Sequence, residues 1–464
     1  DGAGDALGNI IENNQFLAMD TGVRSDSQGS NSIRDNSFVG NGTYGVYIGA
    51  QAGVIVRDNT FSGAGAYGIY IVEDASGTVY RNDVSGRATG IHTDTSLAIV
   101  YDNDVHANVT GIAGSGTIGP ASSSASTPSN RVFFNTTGIR VTSGTGAIVR
   151  FNQVYNNSFG VRASGSNSQI LANDIHHNAT GLSGSDTLGP LDWSLPNDIH
   201  DNDIGVATST GAVARFNRIH ANTIGVLVGS NSTVVNNLIY RNTGTLVDDG
   251  SGMLAYSGRG VLLSGTQGAT VENNTVYTPA GDGIRLQSSA SGNYLRNNIV
   301  WTEDGYDLYV ANDSQQAFGS DYNNFFTTGA GTAVWWQKDY ADVYDWTIEV
   351  GYDPHSIGTT ALDPLLDNPQ FVNLAADDYH LTDLVSTSID AGDPARPFGL
   401  EPPPNGGRID LGAYGNTSQA ALSRPAFLDL EFPSFYTDWE VSLERPIAWW
   451  AFNVAGDVKI ELFL

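Results

Sequence analysis

Short runs of alternating apolar and polar residues recur along most of the chain, separated by Gly, Asn and Ser. Each run is about four residues long with a period of two, which is typical of β-strands. The runs form a repeated unit, apolar-x-x-Asn-x-apolar followed by Gly-apolar-x-apolar, as in IRDNSFVGNGTYGVYIG from Ile33. No unit leaves room for a helix between its strands. The pattern therefore predicts a solenoid with two or three short strands per repeat.

One asparagine marks the centre of each repeat, and a second follows five residues later in many repeats. The predicted central positions are Asn14, Asn36, Asn59, Asn82, Asn103, Asn135, Asn152, Asn173, Asn197, Asn217, Asn237, Asn274, Asn298 and Asn324. The second positions are Asn41, Asn108, Asn157, Asn178, Asn202, Asn222 and Asn242. Stacked in register, each amide can donate to one neighbouring coil and accept from the other. We therefore predict two asparagine ladders along the solenoid axis.

A repeat of roughly 22 residues with two asparagine columns resembles the right-handed parallel β-helix repeat proteins. That superfamily includes pectate lyases, alginate lyases and epimerases, phage tailspikes and bacterial surface proteins. The resemblance implies an all-β fold, a right-handed parallel β-helix of about 14 coils over residues 1–326. Loop insertions are expected near residues 113–130, 183–197 and 244–259. The fragments TGIAGSGTIGP and TGLSGSDTLGP indicate a duplicated block, so the first two loops should project from the same side.

Two further segments follow the repeats. Residues 327–420 contain DPLLDNPQFVNLAADDYHLTDL and end near GGRIDLGAYG, which resembles the closing coils of bacterial surface and secreted β-helix proteins. The resemblance implies irregular C-terminal capping coils, since an open solenoid end exposes unpaired strands. Residues 421–464 form a partial β-sandwich-like segment similar to the start of a Kre9/KNH-type immunoglobulin-like module. Because a complete module needs about 100 residues, we expect the chain to be part of a longer one.

Composition narrows the range of partners. The chain has no cysteine, which excludes disulfides and thiolate-bound metals. Its formal net charge is -28, and Lys338 and Lys459 are its only lysines. Such a surface repels phosphate polymers, so nucleic-acid binding is not expected. Membrane insertion is not expected either, because no apolar run is long enough to cross a bilayer.

Strand alternation places several columns of aromatic and charged residues on the outer surface. The longest run of flat side chains lies three residues after the central asparagines and provides our glycan-binding candidates: Tyr155, His176, His200, His220, Tyr240, Tyr277 and Trp301. Coils repeat about every 4.8 Å, close to the length of a sugar in an extended chain, and aromatic rings stack on apolar faces. The alternative is that these rings only stabilise neighbouring strands.

A metal site is not predicted from the histidines. His176, His200 and His220 lie on three successive predicted coils. However, a coil spacing of about 4.8 Å exceeds the roughly 3.3 Å that separates nitrogens bound to one zinc ion. Calcium is the only cofactor considered, because Asp-rich turns at residues 102–104 and 198–203 supply oxygen ligands.

Catalytic signatures are sparse. Residues 1–337 contain no lysine, which removes the Lys/Arg arrangement that the family's polyuronate lyases use. The fragment GYDPHS resembles the D-P-H motif of mannuronan C5-epimerases, which would make Asp353 and His355 catalytic. Asp248 and Asp249 form the best remaining acidic pair for a hydrolase, although neighbouring strand residues face opposite ways.

The sequence therefore leaves two functions open. The favoured one is a secreted or cell-surface structural or adhesive β-helix protein that binds a polysaccharide or another surface glycan, or self-associates in a larger assembly. The alternative is a polysaccharide lyase, glycoside hydrolase or C5-epimerase on the same scaffold. Either function predicts an extracellular or cell-surface location.

Overall fold

The computed structural model describes residues 8–26, 29–49, 53–120, 128–142, 146–164, 167–248, 254–359, 367–432, 447–456 and 459. Within these residues, helix is confined to one α-helix, Val343–Val350, and two short 3-10 helices, Asn312–Ser314 and Leu374–Ala376. The all-β class is confirmed, as a parallel β-solenoid of about 13 turns. No helix in this described part is both long and apolar enough to span a bilayer.

Most coils contribute three successive strands, and the strands pair in parallel with their counterparts one coil away. The exception is in the first of the three stacks, where Gln169–Leu171 and Thr187–Leu188 do not pair and divide the stack into parts of eight and six strands. We call the three stacks the first, second and third sheets. The first sheet contains Ile10–Glu12, Ser30–Arg34, Gly53–Arg57, Ser76–Tyr80, Ile99–Tyr101, Thr117–Ile118, Ile148–Arg150, Gln169–Leu171, Thr187–Leu188, Val213–Arg215, Thr233–Val235, Thr270–Glu272, Tyr294–Arg296 and Gly319–Asp321.

The second sheet contains Gln15–Leu17, Ser37–Val39, Thr60–Ser62, Asp83–Ser85, Asp104–His106, Arg131–Phe133, Gln153–Tyr155, Asp174–His176, Asp198–His200, Arg218–His220, Leu238–Tyr240, Thr275–Thr278 and Ile357–Gly358. The third sheet contains Thr21–Ser25, Tyr44–Ile48, Tyr67–Ile71, Thr89–Thr93, Thr110–Gly114, Thr137–Val141, Phe159–Ala163, Thr180–Gly184, Ile204–Thr208, Ile224–Leu227, Arg259–Ser264 and Asp282–Gln287. Two long strands, Ile299–Val310 and Asn324–Trp335, run through both sheets.

Side-chain alternation builds the core inside the coils. Inward Val, Ile and Phe residues stack from coil to coil in one continuous cluster. Phe16, Phe38 and Phe61, for example, form a stack with ring centroids 4.8 and 4.6 Å apart. Fully burying one such side chain contributes roughly 1.5–3 kcal/mol.

The glycine at the second position of the third strand in most repeats has a steric cause. A Cβ on Gly160 would lie 2.6 Å from the carbonyl oxygen of Gly181 and 3.1 Å from Nδ2 of Asn178. Because any larger residue would collide with the next coil, the repeat keeps glycine at this position.

The first asparagine ladder is confirmed, with two changes of position. Asn173 Nδ2 donates to Oδ1 of Asn197 at 3.0 Å and also to a backbone carbonyl two residues back. Asn130, not the predicted Asn135, continues the ladder, because the preceding loop lengthens that coil. At the end of the ladder, Asn298 Nδ2 donates to Oδ1 of Asn323 at 3.0 Å, so Asn323 and not the predicted Asn324 is the last member.

The second ladder is continuous from Asn108 to Asn242 and includes Asn135. Asn41 was predicted to belong to it but is separated from it. Arg87 occupies the ladder position of its coil, and its buried guanidinium donates to the carbonyls of Phe38 and Asn41.

The duplicated loops are held in the same way. Arg150 Nε donates to the carbonyl of Pro120 at 2.8 Å, and Arg215 Nε donates to that of Pro190 at 2.9 Å. Each arginine lies on the first sheet and each proline ends one copy of the duplicated fragment. The two copies of the fragment therefore end on the same side of the solenoid. Residues 121–127 lie outside the described residues, so the direction of the first loop stays a prediction.

The C-terminal residues close the solenoid and then return along its side. Asp342 caps the N-terminus of the helix Val343–Val350, and Trp346 packs against the last coil. Residues 367–424, which we call the strap, lie against the flank of the final coils and include the hairpin Phe371–Asn373 and Asp378–Leu381.

The strap is anchored by side chains of the solenoid. Trp193 Nε1 donates to the carbonyl of Ala413 at 3.0 Å, and Asn236 Nδ2 donates to the same carbonyl at 2.9 Å. Arg396 and Glu272 form an ion pair at 2.9 Å. The long-range contacts therefore run along several coils.

The final segment is described only in part. Phe427–Phe432 pairs antiparallel with Ala448–Phe452. Most of the remaining residues of 421–464 lie outside the described residues, so the immunoglobulin-like module stays a prediction.

Candidate functional site

A column of stacked rings runs along the outer surface of the second sheet over seven successive coils. Neighbouring centroids lie 4.7–5.2 Å apart, and the ring planes are within 17° of parallel. The parallel register produces this geometry, because it places each ring directly opposite the next. We call this set the ring column: His106, Phe133, Tyr155, His176, His200, His220 and Tyr240.

The stacking changes how the ring column can meet a ligand. Each interior ring contacts a neighbour on both faces, so only its edge is left for the solvent. The predicted stacking of sugars on these faces is therefore wrong for the interior rings. A ligand here would bind through ring nitrogens, hydroxyls and the neighbouring polar side chains.

A polar column lies beside the rings, two residues earlier on the same strands. It comprises Asp83, Asp104, Arg131, Gln153, Asp174, Asp198 and Arg218. Nε2 of His106 lies 3.0 Å from Asp83, and Nε2 of His220 lies 2.9 Å from Asp198. His106 and His220 thus each contact an aspartate of the preceding coil.

His200 is the histidine of the ring column whose pKa is raised. Its hydrogen bond to Asp174, with a second contact to Asp201, raises the pKa of His200 to about 9. Burial lowers the pKa of the adjacent His176. At neutral pH His200 is therefore an imidazolium with both nitrogens donating, a form that cannot ligate a metal ion.

Calcium, the one cofactor considered from the sequence, has no assembled site in the described residues. No three His, Asp or Glu side chains among them are arranged to hold a metal ion. In the turns considered for calcium, Arg131 Nε contacts Asp104 at 2.6 Å and His220 contacts Asp198 at 2.9 Å. Calcium binding at these turns stays a prediction.

A cleft of about 520 Å³ adjoins the ring column near His106. Its polar lining comes from the second sheet, from the turns that precede two of its strands and from a loop: Arg81, Asn82, Asp83, Asp102, Asp104, Ser129, Arg131 and Gln153. Burial raises the pKa of Asp102, whereas Asp104 is ion-paired with Arg131. The cleft and the ring column share Asp83, Asp104 and Arg131, so they form one continuous polar surface.

Three of the seven glycan-binding candidates are partly or wholly covered by the strap. Tyr240 and Tyr277 are each only 7% exposed. Tyr379 of the strap packs on both, with ring centroids 5.0 and 6.0 Å away. Phe371 stacks on Trp301 at 5.9 Å. The accessible part of the column therefore ends at His220, which corrects the longer predicted surface.

The D-P-H fragment does not assemble a catalytic pair. Asp353 is 1% exposed, and its carboxylate accepts hydrogen bonds from Ser320 at 2.8 Å and Trp346 at 3.0 Å. Burial raises the pKa of Asp353. His355 is on the outside, stacked on Tyr322 at 4.7 Å. The two residues therefore face different environments, and Asp353 has a structural position.

The other predicted acidic pair falls at a hairpin. Asp248 ends the strand Leu246–Asp248, which pairs antiparallel with Leu254–Tyr256. Asp249 lies outside the described residues, so the hydrolase hypothesis for this pair stays a prediction.

The sequence reasoning missed the polar column beside the rings. Its signal was present as Asp-x-His in DVH at Asp104 and in DIH at Asp174 and Asp198. Residues two apart share a strand face, so the spacing alone could have placed these aspartates beside the histidines.

Comparison with known proteins gives two family matches. Residues 2–127 match the family described as periplasmic copper-binding protein (NosD), and residues 121–348 match the right-handed β-helix region. No curated protein gives a significant match.

Several solved structures are similar to this chain at low identity. The A-module of a mannuronan C-5 epimerase from Azotobacter vinelandii is 14% identical over 76% of this chain and 91% of its own, with a TM-score of 0.35. A periplasmic alginate epimerase is 10% identical over 70% and 81%, with a TM-score of 0.28. XylC in complex with xylose is 10% identical over 74% and 55%, with a TM-score of 0.23.

Copper is named in one family description, but the residues of the matching region do not fit it. Residues 2–127 contain two histidines, His92 and His106, one methionine, Met19, and no cysteine. His92 contacts Asp94 at 2.7 Å and His106 contacts Asp83 at 3.0 Å. Copper sites need convergent imidazole or sulfur ligands, and these two histidines lie on different sheets.

Proposed function

Because the chain belongs to the right-handed parallel β-helix proteins, we propose that it is a structural or adhesive rod that binds an extended glycan outside the cytoplasm. The binding surface is the exposed part of the ring column, from His106 to His220, with the cleft beside it. The word periplasmic in the description of one matching family supports the location.

The observation that carries this proposal is the regular spacing of polar groups along the second sheet. Rings repeat every 4.7–5.2 Å over consecutive coils, close to the length of one sugar unit, and Asp104, Asp174 and Asp198 lie beside three of them. The groups are rigid, since stacking and parallel register fix each ring. A rigid surface loses little conformational entropy when it binds, which favours a long, repetitive ligand.

The charge of the surface selects the type of glycan. Asp83, Asp174 and Asp198 present carboxylates, which accept hydrogen bonds from sugar hydroxyls. A net charge of -28 repels a polyanion. A glycan of neutral sugars is therefore the expected ligand for this face.

Binding can be tested by removing polar ring edges while keeping the ring stack. A glycan array first identifies a ligand for the wild type. His106→Phe, His200→Phe and His220→Phe, combined, should weaken its binding about tenfold or more, because each lost hydrogen bond costs roughly 0.5–1.5 kcal/mol. The matched control is Tyr277→Phe, which removes a hydroxyl beneath the strap and should leave affinity within about twofold. A folded triple variant that binds as well as the wild type would contradict the proposal.

A second candidate function, glycoside hydrolysis, is supported only by the cleft. Burial raises the pKa of Asp102, while Asp104 contacts the guanidinium of Arg131. Two carboxyl groups in different environments are the arrangement that hydrolysis of a glycosidic bond needs. Release of reducing ends from the array ligand, abolished by Asp102→Asn, would favour this function. Binding without release would favour the adhesive rod.

A further inference from the structure

Two arginines of the third sheet face each other across neighbouring coils. Arg140 and Arg162 are direct register partners, and both are exposed. Like charges placed opposite each other destabilise a strand pair. In a chain with 49 acidic and 21 basic residues, acidic partners are plentiful. The pairing of two arginines therefore needs a cause other than strand stability.

Other basic residues in the same outward column have an acidic partner, which lies two residues later at Arg24 and His92 and three residues earlier, as Asp282, at Arg285. Arg24 pairs with Asp26, and His92 pairs with Asp94. The corresponding residues after Arg140 and Arg162 are hydroxyl-bearing, Thr142 and Ser164.

Neither Arg140 nor Arg162 has an acidic side chain within ion-pair distance in the described part of the chain. The short neighbouring segments outside it, 143–145 and 165–166, contain no acidic residue. These two coils thus keep the cation of the column and lack its carboxylate.

The surroundings leave both guanidinium groups accessible. The register positions on either side hold small residues, Ala113 before Arg140 and Ser183 after Arg162. The guanidinium of Arg162 lies 4.5 Å from the ring of Phe159, which orients it. Two long cationic side chains therefore stand together between two short ones.

We propose that Arg140 and Arg162 form a binding site for an oxyanion, a carboxylate or a sulfate group carried by a polymer. Coils repeat about every 4.8 Å, so one oxyanion can accept charge-assisted hydrogen bonds from both guanidinium groups. The ligand's oxyanion takes the place of the aspartate that pairs with Arg24, with His92 and with Arg285 in their coils. The site lies on the third sheet, apart from the ring column, so it does not depend on the glycan proposal.

The test uses three polymers with one backbone: dextran, carboxymethyl-dextran and dextran sulfate. At about 0.15 M salt, which screens the overall negative charge beyond about 8 Å, the wild type should bind one or both charged polymers and not dextran. The comparison of the two charged polymers separates carboxylate from sulfate. Arg140→Gln with Arg162→Gln should weaken that binding at least about tenfold, since two charge-assisted contacts are lost. Arg24→Gln with Arg34→Gln removes the same charge at acid-paired positions and should change affinity less than about twofold.

A second double variant adds a carboxylate two residues after each arginine and keeps both arginines. Thr142→Asp with Ser164→Asp should abolish polymer binding without lowering the melting temperature, because each new aspartate occupies its arginine. The proposal is overturned if the wild type binds neither charged polymer. It is also overturned if the Arg24 and Arg34 control loses as much affinity as the Arg140 and Arg162 variant, or if the aspartate variant binds normally.

Discussion

Outward rings line the second sheet both before and after Tyr240, and the two stretches differ in what covers them. From His106 to His220 the rings stack on one another and their edges meet solvent beside a column of aspartates. At Tyr240 and Tyr277 the same repeat position is buried under Tyr379 of the strap. The repeat thus determines the position of each ring, and the packing outside the coil determines whether its edge is exposed to solvent or buried.

The difference separates two roles for one structural position. In the first stretch, His106, His200 and His220 contact aspartates, and polar ring edges remain available to a ligand. In the second stretch, tyrosines provide an apolar surface that fastens the strap, and Tyr277 directs its hydroxyl to Glu303 at 2.6 Å. We therefore expect changes in the two stretches to affect different measurements.

The largest expected effect comes from removing the ring that covers the second stretch. Tyr379 is 1% exposed and contacts Tyr240, Tyr277 and Phe371. Tyr379→Ala should cost about 3–5 kcal/mol of strap stability, as large-to-small changes in a core do. Hydrogen exchange should then accelerate over residues 367–424 and stay unchanged in the coils around His176. Equal acceleration in both regions would show that the strap is not a separate packing unit.

The asparagine ladder should not distinguish the two stretches. Asn173 lies beneath the first stretch and Asn274 beneath the second, and each donates to two carbonyls and to the next rung. Asn173→Ala and Asn274→Ala should therefore cost the same, about 1–3 kcal/mol each. Urea unfolding measures both. A much larger cost at one site would mean that the ladder is not uniform along the axis.

The strap should lose stability over a defined pH range. Burial raises the pKa of Glu401 to about 7. Hydrogen bonds from the backbone amides of Asn416 and Asp410 act in the opposite direction but are the smaller effect. A carboxyl with a raised pKa in the folded state stabilises fully below its unfolded pKa, about 4.5, and that contribution is lost as the pH rises through 7. We expect a decline on the order of 2 kcal/mol in the strap, measured by hydrogen exchange corrected for intrinsic rates.

Glu401→Gln is the matched variant for this decline. It keeps the size of the side chain and removes its titration, so strap stability should fall much less between pH 4.5 and 7. The buried neighbour Asp410 also has a raised pKa and stays in the variant. If the stability of the strap falls as steeply with pH in the variant as in the wild type, the decline comes from a group other than Glu401.

The ring column should titrate at higher pH and by a smaller amount. The hydrogen bond to Asp174 raises the pKa of His200 to about 9. A histidine with a raised pKa contributes stability that is complete below about 6.5 and lost as the pH rises through 9. The loss should be on the order of 1 kcal/mol, because solvent reaches the pair. In a plot of unfolding free energy from urea denaturation against pH, His200→Gln should show a smaller decline than the wild type between pH 6.5 and 9. Parallel plots for the two proteins would exclude the His200–Asp174 ion pair as the cause.

The sequence was sufficient to predict what the repeat itself contains. Period-two alternation gave the short strands, and the recurring asparagine gave the ladder, because both are local patterns repeated many times. The errors at Asn135 and Asn324 arose where a loop or an Asn-Asn pair offered two residues for one rung. Local spacing cannot decide between them; the hydrogen-bond register does.

The rest of the site depends on contacts that no local pattern encodes. The strap meets the coils across more than a hundred residues, as in the bond from Asn236 to Ala413. Alternation placed Tyr240 and Tyr277 on the outside of the coil correctly, yet could not show that another segment covers them. Asp353 was singled out by a three-residue motif, whereas its burial comes from Trp346 and Ser320 in separate elements.

Hydroxyl-radical footprinting with and without the glycan found by the array probes both stretches in one experiment. In the free protein, Tyr155, His176, His200 and His220 should be oxidised, and Tyr240 and Tyr277 should be protected by the strap. The glycan should then protect the first group and leave the second unchanged. The assignment of a binding stretch and a fastening stretch would be contradicted if Tyr240 and Tyr277 were oxidised as readily as Tyr155, or if the glycan protected residues away from the second sheet.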